Sequence, residues 1–293
     1  LINLDSEEEG VFTVCCAGGV RVQCQLPVTR EAFSGAAYRV TVGGLLGGHS
    51  GGEIDKGRGS GQLLLGRLLG LLQEQAAFRL AALQGGQRDN VICPLASAEL
   101  VLAEADTPAL VQLAARCQAM FREELAVTDP GVTVTLERLD APSALPLSAK
   151  ATGDIVWLLL VSPQGIEAMS ADFPGLVRTS LNLGILQLDE DALHAGYLLR
   201  SALVSEKEML AQRMQTLLSR LDCRVTLVGS YHPWEYRRDS ALRETAVQAY
   251  REVFGKEPVV AGTHGGLECG LFCGKVPELD AISFGPELHD IHS

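Results

Sequence analysis

The chain has 293 residues, 47% of them hydrophobic, and a formal net charge of −12. This length fits two domains with a sizeable core, and the acidic balance argues against nucleic acid, whose phosphates it would repel. No apolar run in the sequence is long enough to cross a membrane, so we expect no membrane partner.

Hydrophobic spacing predicts alternating strands and helices, which indicates a mixed α/β fold. Leucines at helical spacing predict one helix over Ser60–Leu83, with Ser60 as its N-cap. Residues 150–161 fit either a helix or a strand. The other predicted elements are strand 1–4, a pair of strands over 10–28, strands 38–46, 90–103 and 131–139, helix 107–127, a strand pair over 176–203, helix 206–221, strand 223–229, helix 240–254, and short strands at 257–262 and 279–285.

A glycine-rich run from Val42 to Gly61 surrounds a single histidine, His49. Glycine lets a backbone and a ligand approach each other closely. His49 is therefore either a ring that reaches into a site outside its own core or a solvated histidine at a hairpin tip. The sequence GHSGG also fits the G-x-S-x-G pattern, which would make Ser50 a hydrolase nucleophile. That motif needs a helix directly after the serine, and the predicted helix starts about ten residues later.

Acidic and histidine side chains near the two ends are candidate metal ligands. Asp5 directly follows an apolar strand, a position where α/β sheets build their sites, and its carboxylate could bind a cation or lie in a solvated loop. His289 and His292 lie close together near the other end. We expect one of them to be a metal ligand and the other a surface residue.

Three further positions carry polar groups that could hold a ligand. Arg200 lies in an apolar strand and needs a carboxylate partner, either on a ligand or within the protein. The residues alone favour an internal ion pair. Asn90 is by default a turn residue. His264 and Gly265–Gly266 form a second glycine-rich turn, whose backbone N–H groups could bind a carboxylate.

Six segments together resemble the aminoacyl-histidine (Xaa-His) dipeptidases, within the co-catalytic zinc peptidases that include carnosinases and carboxypeptidase G. The segments occur in the family's order along the whole chain: NLDSEEEG, GGLLGGHSGGEI, GGQRDNVIC, LLRSALVS, HGGLECGLF and SFGPELHDIHS. The resemblance implies a catalytic α/β domain with two zinc ions and an inserted lid of antiparallel sheet and helices that forms homodimers. Here the lid would be residues 19–230, and residues 1–18 and 231–293 would be parts of the catalytic domain.

The resemblance also implies roles for individual residues. Asp5 resembles a ligand of one zinc, and His292 resembles a ligand of the other. His49 resembles the lid histidine that hydrogen-bonds the developing oxyanion, in dimers at the partner's site. Asn90 and Arg200 resemble substrate-holding lid residues, and Gly265–Gly266 resembles the backbone near the substrate's C-terminal end. The implied reaction is hydrolysis of Xaa-His dipeptides such as carnosine by a zinc-activated water.

The family's remaining metal ligands and its general-base glutamate precede the equivalent of Asp5, and the printed sequence does not contain them. The chain begins without methionine, and we expect it to be part of a longer polypeptide that is inactive when the rest is missing. A non-catalytic lid and dimerisation fragment, and a serine hydrolase using Ser50, are the two alternatives.

Overall fold

The computed structural model describes residues 1–276 and 278–288, which form fifteen strands and six α-helices. The strands are β1 Ile2–Asn3, β2 Val11–Cys16, β3 Gly18–Pro27, β4 Ala36–Gly43, β5 Gly48–His49, β6 Phe78–Gln87, β7 Val91–Ile92, β8 Ala96–Leu102, β9 Thr133–Leu139, β10 Gly165–Met169, β11 Val177–Leu188, β12 Ala192–Ser201, β13 Arg224–Tyr231, β14 Val259–Thr263 and β15 Ile282–Ser283. The helices are α1 Gly61–Gln73, α2 Thr107–Glu124, α3 Ala149–Val161, α4 Val204–Leu218, α5 Ala241–Phe254 and α6 Glu268–Lys275. The mixed α/β class predicted from the sequence is confirmed.

Two sheets organise the described residues. A small mixed sheet has the order β1-β15-β2-β14 and is built from both ends of the chain. A nine-stranded antiparallel sheet has the order β13-β3-β12-β11-β6-β8-β4-β9, with β10 added beside β11. The loop carrying His49 forms a separate two-stranded ladder, β5 with β7.

Helices α1 to α4 pack against the large sheet and bury its main apolar core. The leucines of α1 that face this core are fully buried, at positions 65, 68, 69 and 72. Burial alternates along the second half of β3, where every other residue is exposed, as expected for a sheet with one covered face. No helix in the described part of the chain is both long enough and apolar enough to span a membrane.

The predicted helix over Ser60–Leu83 is wrong in its second half. Helix α1 ends at Gln73, and the segment from Phe78 onward is strand β6, which pairs with β8 and β11. An apolar run rich in alanine and leucine fits both periods, and the pairing with two neighbouring strands decides for strand. Ser60 does not cap the helix either, because its hydroxyl has no hydrogen-bond partner among the described residues.

Two other segments differ from or complete the sequence expectation. The predicted pair of strands over 10–28 consists of β2 and β3, which lie in different sheets and are joined only through Ala17. The segment left open at 150–161 is helix α3, whose N-cap Ser148 accepts a hydrogen bond from the backbone N–H of Ala151 at 3.2 Å. A capped start and a length of 13 residues favour the helix over a strand.

Candidate active site

A network of backbone and side-chain bonds holds the His49 loop in place. Gly47 and Gly48 adopt positive φ angles of 65° and 134°, which explains part of the glycine content of this run. Glu53 accepts a hydrogen bond from the backbone N–H of His49 at 2.8 Å and pairs with Arg58 at 2.9 Å. Arg58 in turn donates to the Gly47 carbonyl at 2.5 Å. Glu53 and Arg58 thus support the loop, although no motif in the sequence points to them.

The His49 ring is exposed, and its hydrogen bonds fix its tautomer. Its Nδ1 atom accepts from the backbone N–H groups of Gly51 at 3.3 Å and Gly52 at 3.1 Å. An accepting Nδ1 carries no proton, so the neutral ring carries its proton on Nε2. Desolvation lowers the pKa of His49, and the Arg200 cation lowers it further, while Glu53 opposes this. The ring is therefore a neutral N–H donor at neutral pH.

Arg200 and His49 lie against the same glycine within one chain. A Cβ atom placed on Gly51 would lie 2.9 Å from Cε1 of His49 and 3.3 Å from Cζ of Arg200. A side chain at position 51 would therefore push against the His49 ring and press closely on the Arg200 guanidinium. No second subunit is needed to bring His49 close to Arg200.

Arg200 is 6% exposed, and it forms no ion pair with the described residues, contrary to what the residues alone suggested. Within residues 1–276 and 278–288, its hydrogen-bond partner is the Tyr231 hydroxyl, 3.1 Å from Nη1, and its buried Nε has no partner. A buried guanidinium without a carboxylate is costly, because both its charge and its N–H groups are desolvated. This arrangement is typical of a site that receives an anion from a ligand.

Asn90 joins the same region through its backbone. Its carbonyl accepts from the Ser50 N–H at 2.9 Å, next to the ladder that pairs His49 with Val91. The Asn90 side chain makes no hydrogen bond to the described residues, so its amide is available to a ligand. Ser50 is 1% exposed and its hydroxyl has no partner in the part of the chain described, so it lacks the base that a serine nucleophile requires.

The Gly265–Gly266 turn lies beside this cluster, between the end of β14 and the start of α6. The Gly265 carbonyl accepts from the Ala17 N–H at 3.1 Å, which ties the turn to the junction between the two sheets. A Cβ atom on Gly266 would lie 3.1 Å from the ring of Tyr231. Tyr231 is therefore in contact with both the Gly266 turn and Arg200.

His264 connects the small sheet to the large one. It is 5% exposed, and its Nε2 lies 2.7 Å from the hydroxyl of Ser180, the register partner of Arg200. Its buried Nδ1 has no hydrogen-bond partner among the described residues. Burial lowers the pKa of His264 to about 4, and the Arg200 cation adds to the lowering.

This lowered pKa predicts a loss of stability in mild acid. The folded chain keeps His264 neutral down to about pH 4, whereas the unfolded chain protonates it near the ordinary pKa of 6.5. The unfolded state thus binds more protons between these pH values. The free energy of unfolding of the protein should therefore fall by about 2 kcal/mol from about pH 7 to pH 5. Urea unfolding at both pH values measures it. His264→Gln should remove this fall, whereas His194→Gln at an exposed position should keep it; an unchanged fall in His264→Gln would contradict the assignment.

Asp5 follows a strand of the small sheet, whereas Arg200 lies on a strand of the large one. Asp5 comes after β1, and the neighbouring Ser6 hydroxyl is 2.8 Å from that of Ser283 and 3.3 Å from that of Thr13. The Gly265 turn is hydrogen-bonded to Ala17, which follows Thr13 by four residues, or about 13 Å of extended strand.

The segment after β15 returns to the loop that carries Asp5. Leu288 donates to the Glu7 carbonyl at 2.9 Å, and the Glu9 N–H donates to the Glu287 carboxylate at 3.1 Å. His289 and His292 lie outside the described residues, so the pairing of Asp5 with His292 stays a prediction. Within residues 1–276 and 278–288, no group of three or more His, Cys, Asp or Glu side chains could hold a metal ion.

The two sheets and the polar cluster at their junction were compared with known proteins. No protein-family model matches the chain. The crystal structure of an aminoacylhistidine dipeptidase from Vibrio alginolyticus superposes with a TM-score of 0.93 at 30% identity, over 98% of this chain and 59% of that one. The cytosol non-specific dipeptidase of Escherichia coli K12 is 33% identical over 295 residues, which span all of this chain and 61% of that protein.

The resemblance to the aminoacyl-histidine dipeptidases is confirmed in both sequence and fold. Two independent kinds of comparison lead to proteins named as dipeptidases, and the structural match covers nearly the whole chain. The chain spans about three-fifths of the length of each of these relatives. The chain is thus similar to a large part of a dipeptidase.

Proposed function

We propose that this chain is the substrate-holding part of a metal-dependent dipeptidase that hydrolyses Xaa-His dipeptides such as carnosine. The observation that carries the proposal is the juxtaposition of His49, a neutral N–H donor, with Arg200, a buried cation lacking a carboxylate among the described residues. A dipeptide offers both complementary groups, a carbonyl that develops negative charge and a free carboxylate. The two dipeptidase relatives support this substrate class.

Each residue of the cluster would act on a defined part of the substrate. Arg200 would bind the free carboxylate, and Asn90 would hold the peptide group nearby. His49 would donate its Nε2 proton in a hydrogen bond to the oxygen of the scissile carbonyl as negative charge develops there. The lack of side chains at Gly265 and Gly266 lets the C-terminal residue of the dipeptide lie close to the backbone.

The described residues alone do not make up a two-zinc centre. Asp5 could supply one carboxylate ligand, and His292 is proposed as a ligand of the other ion, whereas a catalytic zinc takes about three protein ligands. When bound, such ions supply an activated water and polarise the scissile carbonyl. We therefore propose that the remaining ligands and the general base come from polypeptide that the relatives have beyond the matched region.

The surface of the small sheet bears on how the chain divides into a catalytic part and a lid. We propose that residues 1–18 and 231–293 belong to a catalytic domain and that residues 19–230 form the lid. An apolar groove lies between β1, β2 and α5. Large apolar side chains around this sheet are exposed, including Leu4 at 68%, Val253 at 74% and Val259 at 61%. Exposed apolar area of this kind indicates a surface that further polypeptide covers.

We propose that the complete protein acts in the cytoplasm as a homodimer formed through the lid. Exposed apolar side chains on α3 and α4 support a lid interface, with Trp157 at 37%, Leu160 at 54% and Met209 at 50% exposure. Trp157 and Met209 line one shallow, mostly apolar groove between α3 and α4, and exposed apolar surface of this kind is typical of a protein–protein contact. The E. coli relative named a cytosol dipeptidase supports the location.

Zinc-dependent hydrolysis of carnosine tests the proposal. The full-length protein should hydrolyse carnosine and lose activity on chelation, whereas the 293-residue chain alone should show no turnover with added zinc. A non-catalytic lid module predicts no turnover by either protein. Turnover that fluorophosphonate blocks and chelators do not affect would instead support Ser50. Robust turnover by the isolated chain would contradict the assignment of the missing ligands to other polypeptide.

A further inference from the structure

Arg200, Gly19 and Tyr231 form one row across three neighbouring strands. Arg200 on β12 is the register partner of Gly19 on β3, and Gly19 is the register partner of Tyr231 on β13. Gly19 has no side chain, and a Cβ atom there would lie 2.6 Å from the Tyr231 hydroxyl oxygen. The hydroxyl therefore passes over Gly19 to reach Nη1 of Arg200 at 3.1 Å. An alanine at position 19 would block this path.

An irregularity in β13 aims the tyrosine at Arg200. The register between β13 and β3 shifts between Val228 and Tyr231, and Gly229 within this stretch has a φ of 60°. Irregularities of this kind redirect side chains at the ends of strands, often beside functional sites. The local backbone therefore departs from a regular strand at the place where Tyr231 is directed towards Arg200.

Buried contacts then fix Tyr231 in this position. Lys207 of α4 is 7% exposed, and its Nζ donates to the Tyr231 carbonyl at 2.7 Å and to the Ser230 hydroxyl at 3.2 Å. On the other side, the Tyr231 ring lies against Gly266. The phenol is thus held between the cation and the glycine turn assigned to the substrate's C-terminal end.

The hydrogen-bond inventory leaves donors for a ligand. The Tyr231 oxygen accepts from Arg200, so its own O–H remains to be donated, and no described residue accepts it. Arg200 Nε is likewise without a partner in the described part of the chain, and neither Arg200 nor Lys207 forms an ion pair there. A phenol O–H beside a guanidinium is a set of donors that suits a carboxylate.

We propose that Tyr231 binds the free carboxylate of the substrate together with Arg200, and that Gly19 provides the space that this pairing requires. The inference rests on the proposed role of Arg200 and adds Tyr231 as a second carboxylate-binding residue. It also assigns a function to the glycine at position 19, in the middle of a row of otherwise large side chains.

Binding of N-acetylhistidine and its carboxamide to the 293-residue chain, followed by NMR titration, tests this proposal without turnover. The wild-type chain should prefer the acid over the amide. Tyr231→Phe removes the donated hydrogen bond to a charged group and should weaken acid binding about 10-fold while leaving amide binding unchanged. Gly19→Ala should have the same effect because it displaces the phenol.

Matched controls separate this role from a structural one. Tyr236→Phe removes a hydroxyl outside the cluster, and Gly153→Ala adds a methyl group where the nearest atom is 3.9 Å away; both should bind as wild type. Should Gly19→Ala fail to fold, Tyr231→Phe decides the question alone. Unchanged preference for the acid in Tyr231→Phe, or no preference in the wild-type chain, would overturn the proposal. Failure of the full-length protein to hydrolyse dipeptides would contradict the proposed function and leave this binding result standing.

Discussion

Replacing His49 by alanine in the full-length enzyme is expected to lower kcat by about 100- to 1000-fold with little change in KM, the effect of removing one preorganised oxyanion donor. The reason lies in the loop geometry. The backbone N–H groups of Gly51 and Gly52 donate to Nδ1 of His49, so the ring proton lies on Nε2. The lowered pKa of His49 keeps the ring neutral. Steady-state kinetics on carnosine measure the change. A donor of this kind stabilises the transition state more than the bound substrate, which is why kcat and not KM should respond.

Two further variants make this result specific. His49→Gln retains an N–H donor on a longer side chain and should recover part of the lost kcat. His194→Gln alters an exposed histidine on β12 that lies 2.8 Å from Asp189, and it should leave kcat unchanged. Equal losses in His49→Ala and His49→Gln would argue against a hydrogen-bonding role. A loss confined to KM would assign His49 to ground-state binding instead.

Replacing Arg200 by methionine should have the largest effect on substrate affinity. We expect KM for carnosine to rise by about 100-fold, because a charge-assisted contact to the substrate carboxylate is lost. The same change should raise the free energy of unfolding by about 1 kcal/mol, because a buried cation whose Nε has no partner among the described residues is replaced by an apolar side chain of similar length. Kinetics and urea unfolding measure the two effects on the same protein.

The opposite signs of these effects make Arg200→Met diagnostic. If Arg200 served only the fold, its replacement would make the protein less stable. If Arg200 binds the ligand, its replacement should make the protein more stable and weaken substrate binding. Arg200→Lys keeps the charge without the planar fork and should lie between wild type and Arg200→Met in KM. Loss of stability in Arg200→Met together with an unchanged KM would contradict the proposal.

The sequence predicted well what depends on local pattern. The strand pair over 176–203, the helix over 240–254 and the mixed α/β class all follow from the hydrophobic periodicity, and the structure contains them. Strand β6 was missed because its alanines and leucines fit a helix equally well. Only the pairing with β8 and β11 identifies it as a strand, and that pairing is not visible in a local window.

The candidate site divides in the same way. The glycines around His49 select it from the sequence alone, whereas no sequence motif selects Tyr231. Its function depends on register across three strands, which brings it beside Gly19 and Arg200 from distant parts of the chain. One signal was available: a glycine inside a strand pattern, Gly19, often marks a close approach of another group. The internal ion pair expected for Arg200 is not found among the described residues for a related reason. The sequence of one strand does not show which side chains will pack against it.

A crystal structure of the full-length enzyme with zinc and a phosphinate dipeptide analogue tests the central claim most directly. The account predicts His49 Nε2 within about 3 Å of a phosphinate oxygen and the Arg200 guanidinium within the same distance of the analogue's carboxylate. An analogue bound with the His49 ring directed to solvent, and with Arg200 paired to a carboxylate of the protein, would contradict it.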